Sequence, residues 1–366
     1  MTTDYELSIS EAIEKVFFKS EQTTPMSRYT GLFTLFGAAK AAVATQNPQL
    51  LALCKGYLDK YPNDIAHPTY NFDLYEVGGI AKAYLFLKGE YDADTELIRD
   101  YAERTYCAPR TDDGIIRYRK LEQGKWIWVD AIAAVAPFML YAGLKLEEPR
   151  YVDFAAEQTV LMFDALLDPE CGLLHQVRGR YPEDPDRCSE DHWSRGNGWM
   201  MVALAELIEH LPQSSCWYEQ ILCRYRSFCE NLIQYQSIRG LWRQELTMEG
   251  AWEESSGSGL IAYGLGTGIR LGLLEEETYK KVFEKAIWGI INFCITDAFN
   301  TYHSCEACCF PGKGSQQGTV AAYVCLRKSY RNEPHSFGPI LLALMEAYTN
   351  GITKIIKNRQ CIPEER

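Results

Sequence analysis

Several signatures that would assign this chain to a familiar class are missing from its sequence. It has no run of eighteen apolar residues, so no membrane-spanning helix is expected. Its first residues include early acids and no basic stretch before an apolar one, so no signal peptide is predicted. It also contains no glycine-rich dinucleotide or phosphate loop and no Gly-x-Ser-x-Gly elbow. Nothing therefore supports the nucleotide-binding or serine-hydrolase classes that those motifs would indicate.

Basic charge and histidine are also scarce. The 366 residues include 37 Lys and Arg against 49 Asp and Glu, which gives a formal net charge of -12, and only 6 His. This balance argues against nucleic acid or an anionic membrane as a partner. A small anionic substrate would need a local cationic group. The 13 cysteines form no small-domain framework, so we expect reduced thiols and a cytoplasmic protein.

Three of the cysteines, Cys305, Cys308 and Cys309, lie close together in the sequence. His303 and Cys325 could complete a zinc site with them, but no second Cys-x-x-Cys knuckle is present. We interpret the group as buried or loop thiols. The sequence thus predicts no metal and no cofactor, and it leaves the oligomeric state open.

What the sequence does contain is a strict alternation of two kinds of helical segment. Six are amphipathic, at 9–20, 48–61, 94–106, 151–167, 216–236 and 276–294. Six others are apolar nearly all round and rich in small residues, at 29–44, 72–87, 128–144, 196–211, 257–274 and 336–348. Helices of the second kind belong inside a large protein. The repeat predicts an all-α fold, an (α/α)6 barrel of six inner and six outer helices, as one catalytic domain over residues 1–366. A two-domain α/α arrangement is the weaker alternative.

Four long connections precede inner helices, at residues 107–127, 168–195, 237–256 and 297–335. They should gather at one end of the barrel, where the inner helices begin. Long loops on a rigid scaffold commonly carry function, and helix N-termini favour anions. Within these loops we predict short strands at 114–118 and 241–246.

Acidic residues stand at the heads of two apolar helices. Asp130 begins the third inner segment and Asp73 takes the equivalent place on the second. Two carboxylates that converge over the barrel mouth would have different pKa values, which suits acid/base chemistry. Glu76 competes with Asp73 for this role. The alternative for Asp130 is a helix cap.

The stretch HWSRGNGW, residues 192–199, places aromatic and basic groups just before an apolar helix. Arg195 could bind a carboxylate through two hydrogen bonds, and Trp193 offers a flat face to a sugar. His175, in CGLLHQVRG, is the candidate histidine of the preceding loop. The alternatives are a structural histidine and core packing of the indoles, and we expect core packing for Trp199.

Five motifs occur in an order that resembles glycoside hydrolase family 105, the unsaturated rhamnogalacturonyl hydrolases, which are related to the unsaturated glucuronyl hydrolases of family 88. They are WVD at 128–130, GLLH at 172–175, WSRGNGW at 193–199, EESSGSG at 253–259 and FGPILLA at 337–343. The resemblance extends from about Tyr29 to Tyr348. The family's (α/α)6 barrel agrees with the helix pattern.

The resemblance implies a role for each candidate. Asp130 matches the catalytic acid/base and Asp73 the second aspartate. The predicted contacts to the unsaturated uronate are His175, Trp193, Arg195, Tyr29 and Trp128. The chain departs from the family at Val77-Gly78, at His175-Gln176-Val177 and at the basic run 117–120.

The implied activity is removal of a C4=C5 unsaturated uronic acid from the non-reducing end of pectin-derived rhamnogalacturonan disaccharides. Hydration of the double bond would start the reaction, and the partner would be an unsaturated oligosaccharide. An unsaturated glucuronyl hydrolase is the second possibility. An α/α-barrel sugar epimerase or a carbohydrate-binding protein is the third.

Overall fold

The structure, a computed structural model, describes residues 4–60, 77–92, 95–117, 126–306 and 311–358. Of the residues singled out above, Asp73, Glu76, Cys308 and Cys309 lie outside these ranges. Most of the described chain is helical. Its α-helices are α1 (Ile9–Thr23), α2 (Tyr29–Ala44), α3 (Pro48–Lys60), α4 (Val77–Leu87), α5 (Thr95–Tyr106), α6 (Asp130–Lys145), α7 (Pro149–Leu166), α8 (Ser194–His210), α9 (Tyr218–Ile233), α10 (Ser255–Arg270), α11 (Glu276–Gly289), α12 (Val320–Leu326) and α13 (Phe337–Thr349).

Six of these helices form a closed inner ring. The inner helices, in chain order, are α2, α4, α6, α8, α10 and α13. Each packs on the next one, and α13 packs back on α2, which closes the ring. Helices α1, α3, α5, α7, α9 and α11 pack outside this ring. The predicted (α/α)6 barrel is therefore confirmed.

The two kinds of helix bury different amounts of their surface. In α2, every residue from Thr30 to Ala42 is buried, as expected for a helix surrounded by neighbours. In α3, only Leu50, Cys54 and Leu58 are buried, one residue on each successive turn of the helix. Sequence periodicity therefore separated the inner from the outer helices.

Glycine allows inner helices α8 and α10 to approach closely. A Cβ atom on Gly198 would lie 2.7 Å from the Leu260 Cβ, and one on Gly257 would overlap the Ser194 side chain. Neither helix could hold this position with a larger residue there. Gly198 of RGNG and Gly257 of SGSG are thus explained by the packing of α8 on α10.

Short strands tie the long loops together. They are β1 (Tyr5–Ser8), β2 (Ile127–Trp128), β3 (Val177–Arg178), β4 (Trp242–Arg243), β5 (Glu253–Glu254), β6 (Ser304–Cys305), β7 (Ser329–Tyr330) and β8 (Lys354–Lys357). They pair antiparallel as β1–β8, β2–β3, β4–β5 and β6–β7. The strand predicted at 241–246 is present in shortened form as β4. The one predicted at 114–118 is wrong for its described part, where Ile116 forms only an isolated bridge with Arg110.

The long loops also contact one another directly. Arg178 forms an ion pair with Asp113 at 2.6 Å, the Glu190 N–H donates to the Gly318 carbonyl at 2.8 Å, and Trp193 bridges to Glu245. The predicted gathering of these loops is confirmed. In the described part of the chain, no helix has the length and apolar character needed to cross a membrane.

A charged cluster lies inside the ring, away from the loops. Lys40 of α2 donates to both carboxylate oxygens of Glu206 of α8, at 2.8 and 2.9 Å, and the hydroxyls of Tyr141 and Tyr263 donate to the same carboxylate. All four side chains are at most 4 % exposed. Buried charges persist only when paired in this way. The cluster fixes α2, α6, α8 and α10 relative to one another.

Candidate active site

A cavity opens at the end of the barrel where the inner helices begin. It encloses about 310 Å³, including open solvent at its mouth. Among the described residues, its lining comprises Tyr29, Phe33, Ile80, Asp130, Ala133, Ala134 and Trp199. Tyr29 and Asp130 are the first residues of α2 and α6. Two of the predicted site residues therefore share one cavity at the predicted end.

The Asp130 carboxyl is held at the cavity wall by the strand pair before it. Trp128 of β2 pairs with Val177 of β3, and the Val129 N–H donates to the Gln176 carbonyl at 3.1 Å. Val129, not Asp130, occupies the cap position of α6. The alternative that Asp130 serves only as a helix cap is thus not supported.

The environment of Asp130 favours the protonated carboxyl. Burial raises its pKa to about 7, and the Arg195 charge, a backbone N–H and the Trp199 indole only partly oppose this effect. Among the described residues, neither Asp130 Oδ2 nor Trp199 Nε1 has a hydrogen-bond partner of normal geometry. A carboxyl group with this pKa can donate a proton near neutral pH and accept one afterwards.

Tyr29 is oriented by a buried histidine and a carboxylate. Its hydroxyl bonds to His335 Nε2, while His335 Nδ1 lies 2.7 Å from Glu333 Oε1. A carboxylate can only accept, so we assign the hydrogen to Nδ1 and let Tyr29 donate to Nε2. Glu333 is held in turn by the His335 N–H and the Ser304 hydroxyl. The sequence analysis missed His335 and Glu333, although His335 lies two residues before an inner helix, as other site candidates do.

Arg195 is enclosed by protein groups. Its Nη1 donates to the Ser256 hydroxyl at 3.0 Å and the Cys305 carbonyl at 2.8 Å, and its Nη2 donates to the Glu306 carbonyl at 2.8 Å. The side chain is fully buried, with the Glu254 carboxylate 3.9 Å away. The predicted two-bond grip on a substrate carboxylate does not fit this arrangement, because the carbonyls and Ser256 already occupy most of its donors. Its charge still lowers the pKa of Asp130.

Of the two indoles of the motif, Trp199 lines the cavity and Trp193 does not. Trp193 is 1 % exposed, its Nε1 donates to the Cys305 sulfur at 3.3 Å, and the Arg195 guanidinium lies 4.5 Å from its ring centroid. It cannot stack on a sugar in this structure, because Arg195 and Gly196 cover its ring. Trp199 is mostly buried, as expected, but its remaining surface lines the cavity.

The other two predicted contacts, His175 and Trp128, are not among the described residues that line the cavity. His175 directly precedes Gln176, whose carbonyl accepts from the Val129 N–H. The centroid of the His175 ring lies 4.9 Å from that of the His192 ring. Burial and the neighbouring His192 charge lower its pKa to about 4, so it is neutral. Trp128 is half-buried and packs on Val177 and Tyr181.

Asn197 explains why the motif places an amide in the first turn of α8. Its Oδ1 accepts from the Leu174 N–H at 2.8 Å, and its Nδ2 donates to the Leu174 carbonyl at 3.0 Å and the Trp193 carbonyl at 3.0 Å. The side chain is 1 % exposed. It therefore clamps the loop that carries His175 onto the helix that carries Trp199.

Replacing Asn197 by alanine should lower the free energy of unfolding by about 1–3 kcal/mol, because buried Leu174 groups lose their partners. Urea denaturation measures the change. Gln234→Ala, which removes an exposed amide, is the control and should stay within about 0.5 kcal/mol of wild type. Equal effects of the two substitutions would show that the clamp contributes nothing.

The chain is similar to known carbohydrate-active enzymes. The family profile described as Glycosyl Hydrolase Family 88 matches residues 9–350. An unsaturated 3S-rhamnoglycuronyl hydrolase from Alteromonas sp. (strain LOR) is 28% identical over 177 residues, which are 48% of this chain and 43% of that protein. The chain therefore spans less than half of that relative's own length.

Two further relatives align over more of their length. The unsaturated rhamnogalacturonyl hydrolase YesR from Bacillus subtilis (strain 168) is 22% identical over 293 residues, 78% of this chain and 82% of that protein. A solved family 105 glycoside hydrolase from C. acetobutylicum ATCC 824 superposes with a TM-score of 0.80 at 24% identity, over 94% of this chain and 100% of that chain. The superposition supports the barrel fold. The profile match over most of its length shows that this chain belongs to glycosyl hydrolase family 88.

Proposed function

We propose that this chain is a hydrolase that removes a C4=C5 unsaturated uronic acid from the non-reducing end of a lyase-generated disaccharide. One observation carries the proposal: a carboxyl group, Asp130, lies in the barrel-end cavity with its pKa raised to about 7. The names of the relatives support the substrate class, and rhamnogalacturonan disaccharides are the substrate we favour. We further propose that residues 1–366 act as one cytoplasmic catalytic domain.

The chemistry requires a group that gives a proton and then takes one. The C4=C5 bond is an enol ether conjugated to a carboxylate. Asp130 protonates C4, and the electron pair of the ring oxygen stabilises the cation that forms at C5. The Asp130 carboxylate then removes a proton from water as the water oxygen bonds to C5. The resulting hemiketal opens, and the neighbouring sugar leaves from C1. A single carboxyl group thus serves as acid and base.

Other residues of the cavity would position the sugar. Tyr29, oriented by His335, and Trp199 form its walls beside Asp130. We propose Asp73 as the second carboxylate, with His175 and Trp128 as contacts on the adjacent loop. Arg195 acts in this scheme through its charge on Asp130 rather than as a direct ligand of the uronate.

Activity should fall as the pH rises through about 7. Asp130 must start protonated, and kcat/KM reports the pKa of the unliganded enzyme, so we expect kcat/KM to decline about tenfold per unit above that pH. Because the pKa is raised on folding, the native state binds this proton more tightly than the unfolded chain between about pH 4 and 7. The contribution of Asp130 to stability therefore decreases across that window and is constant above it. A kcat/KM that stays flat from pH 5 to 9 would contradict the assigned role.

A panel of unsaturated disaccharides tests the proposal. The enzyme is incubated with lyase products of rhamnogalacturonan, rhamnoglycuronan and glycosaminoglycan, and the ultraviolet absorbance of the conjugated double bond is followed. We expect loss of absorbance with at least one product, fastest with the rhamnogalacturonan disaccharide. Preference for the glycosaminoglycan product would favour the glucuronyl hydrolase alternative. Persistent absorbance with all products would favour an epimerase or a binding protein.

A further inference from the structure

Three side chains with metal-binding atoms, with a fourth close by, converge outside the cavity, between the turn after α7 and the residues before α8. His192 Nε2 lies 3.0 Å from Asp168 Oδ2 and 3.4 Å from Cys171 Sγ. His175 Nε2 lies 4.0 Å from the same Asp168 oxygen. The ligand atoms of Asp168, Cys171 and His192 all lie within 4.8 Å of one another. None of the four residues lines the cavity of Asp130.

These separations resemble those of a tetrahedral metal site. Zinc binds nitrogen and oxygen at about 2.0–2.2 Å and sulfur at about 2.3 Å, so the donor atoms of a tetrahedron are roughly 3.3–3.8 Å apart. The distances of 3.0 and 3.4 Å from His192 Nε2 to its two neighbours lie around this range. The donor atoms of Asp168, Cys171 and His192 could therefore share one centre after small side-chain rotations.

Hydrogen bonds alone satisfy this group poorly. A single nitrogen, His192 Nε2, faces both a carboxylate oxygen and a sulfur, yet it carries only one hydrogen or one lone pair. A cation at the centre would accept lone pairs from all of these atoms together. On the far side of the ring, His192 Nδ1 lies 3.5 Å from the completely buried Glu245 carboxylate. A carboxylate behind a histidine is the usual outer partner of a metal-bound imidazole.

The backbone holds the donors in place. Asp168 Oδ1 accepts from the Glu170 N–H at 2.9 Å, which leaves Oδ2 directed to the cluster, and the Gly172 N–H donates to the Asp168 carbonyl at 2.8 Å. Gly172 adopts a left-handed φ of 69° in this turn. The His192 N–H donates to Glu245 at 2.9 Å. Preorganised donors lose little conformational entropy when an ion binds.

We propose that Asp168, Cys171 and His192 bind one zinc-class transition-metal ion. A thiolate and an imidazole favour zinc, cobalt or nickel over calcium or magnesium, which prefer oxygen ligands. Binding displaces the Cys171 thiol proton and the proton at His192 Nε2, so affinity rises with pH. The ion ties the turn after α7 to the residues just before α8. The proposal does not depend on the hydrolase activity.

Cobalt is the probe for this site, because a thiolate ligand gives Co²⁺ a sulfur-to-metal charge-transfer band. The whole chain is stripped with a chelator under reducing conditions and titrated with Co²⁺, then with Zn²⁺ in competition. We expect one Co²⁺ per chain, a charge-transfer band, and loss of the band when Zn²⁺ replaces Co²⁺. No uptake, or uptake without the band, overturns the proposal.

Two variants and a control identify the ligands. Cys171→Ser should abolish the charge-transfer band, and Glu245→Gln should keep the band while weakening affinity by about 10–100-fold. Cys216→Ser removes an exposed thiol away from the cluster and should leave the titration unchanged. A band that survives Cys171→Ser, or disappears in Cys216→Ser, would show that another cysteine binds the ion.

Discussion

Replacing Asp130 by asparagine should lower kcat on the unsaturated disaccharide by about 10²–10⁴-fold, because general acid/base catalysis contributes that much. Asparagine keeps the size and shape of the side chain but can neither protonate C4 nor deprotonate water. The substrate should still bind, since the amide can hydrogen-bond to it. Steady-state kinetics with the variant, together with circular dichroism to check the fold, measure this effect.

Asp191→Asn is the matched control for this experiment. Asp191 is also completely buried, and burial raises its pKa to about 7, but it does not line the cavity. Its replacement should leave kcat close to wild type. If Asp130→Asn were as active as Asp191→Asn, the raised pKa of the Asp130 carboxyl would not contribute to catalysis, and Asp130 would be a structural residue.

Replacing Arg195 by alanine should lower the free energy of unfolding by about 3–5 kcal/mol, the usual cost of leaving a buried partner charge uncompensated. The substitution would leave Glu254 without its nearby guanidinium, and it would remove the guanidinium donors from the Cys305 and Glu306 carbonyls. The Ser256 hydroxyl would lose one of its hydrogen bonds and keep the one to Glu254. A substitution that only weakened substrate binding, as the sequence suggested, would leave the unfolding transition unchanged. Urea denaturation distinguishes the two.

Arg224→Ala supplies the control for charge removal. Arg224 forms two hydrogen bonds to the carboxylate of Asp164, which is about half exposed. Exposed ion pairs contribute about 0–1 kcal/mol, so this variant should be nearly as stable as wild type. If Arg195→Ala were equally stable and merely raised KM, the guanidinium would have to reach the substrate after a local rearrangement.

The positions of the helices could be predicted from the sequence because the buried positions of a helix appear as a periodic pattern of apolar residues. The segment 29–44 was recognised by apolar residues on all sides, and α2 spans Tyr29–Ala44. Asp130 could be singled out because an aspartate at the head of an apolar inner helix is unusual. Because the four long connections precede inner helices, the sequence also predicted that these loops lie at the end of the barrel where the inner helices begin.

The depth of individual side chains could not be predicted in this way. Trp193 and Trp199 belong to one motif. The local sequence does not reveal that Cys305, more than 100 residues later in the chain, contacts Trp193. The partners of Arg195 come from the same distant loop. The cluster of Asp168, Cys171 and His192 likewise depends on two turns meeting in space, which no local spacing records.

Deuterium incorporation at C4 tests the central claim most directly, because hydration of the double bond and ordinary glycosidic cleavage place solvent hydrogen differently. The reaction is run in deuterated water, and the released sugar is analysed by NMR and mass spectrometry while the ultraviolet absorbance is followed. Proton delivery by Asp130 predicts one deuterium at C4 of the keto sugar and loss of the absorbance. A released uronate that retains the double bond and carries no deuterium at C4 would contradict the account, even if the disaccharide is cleaved.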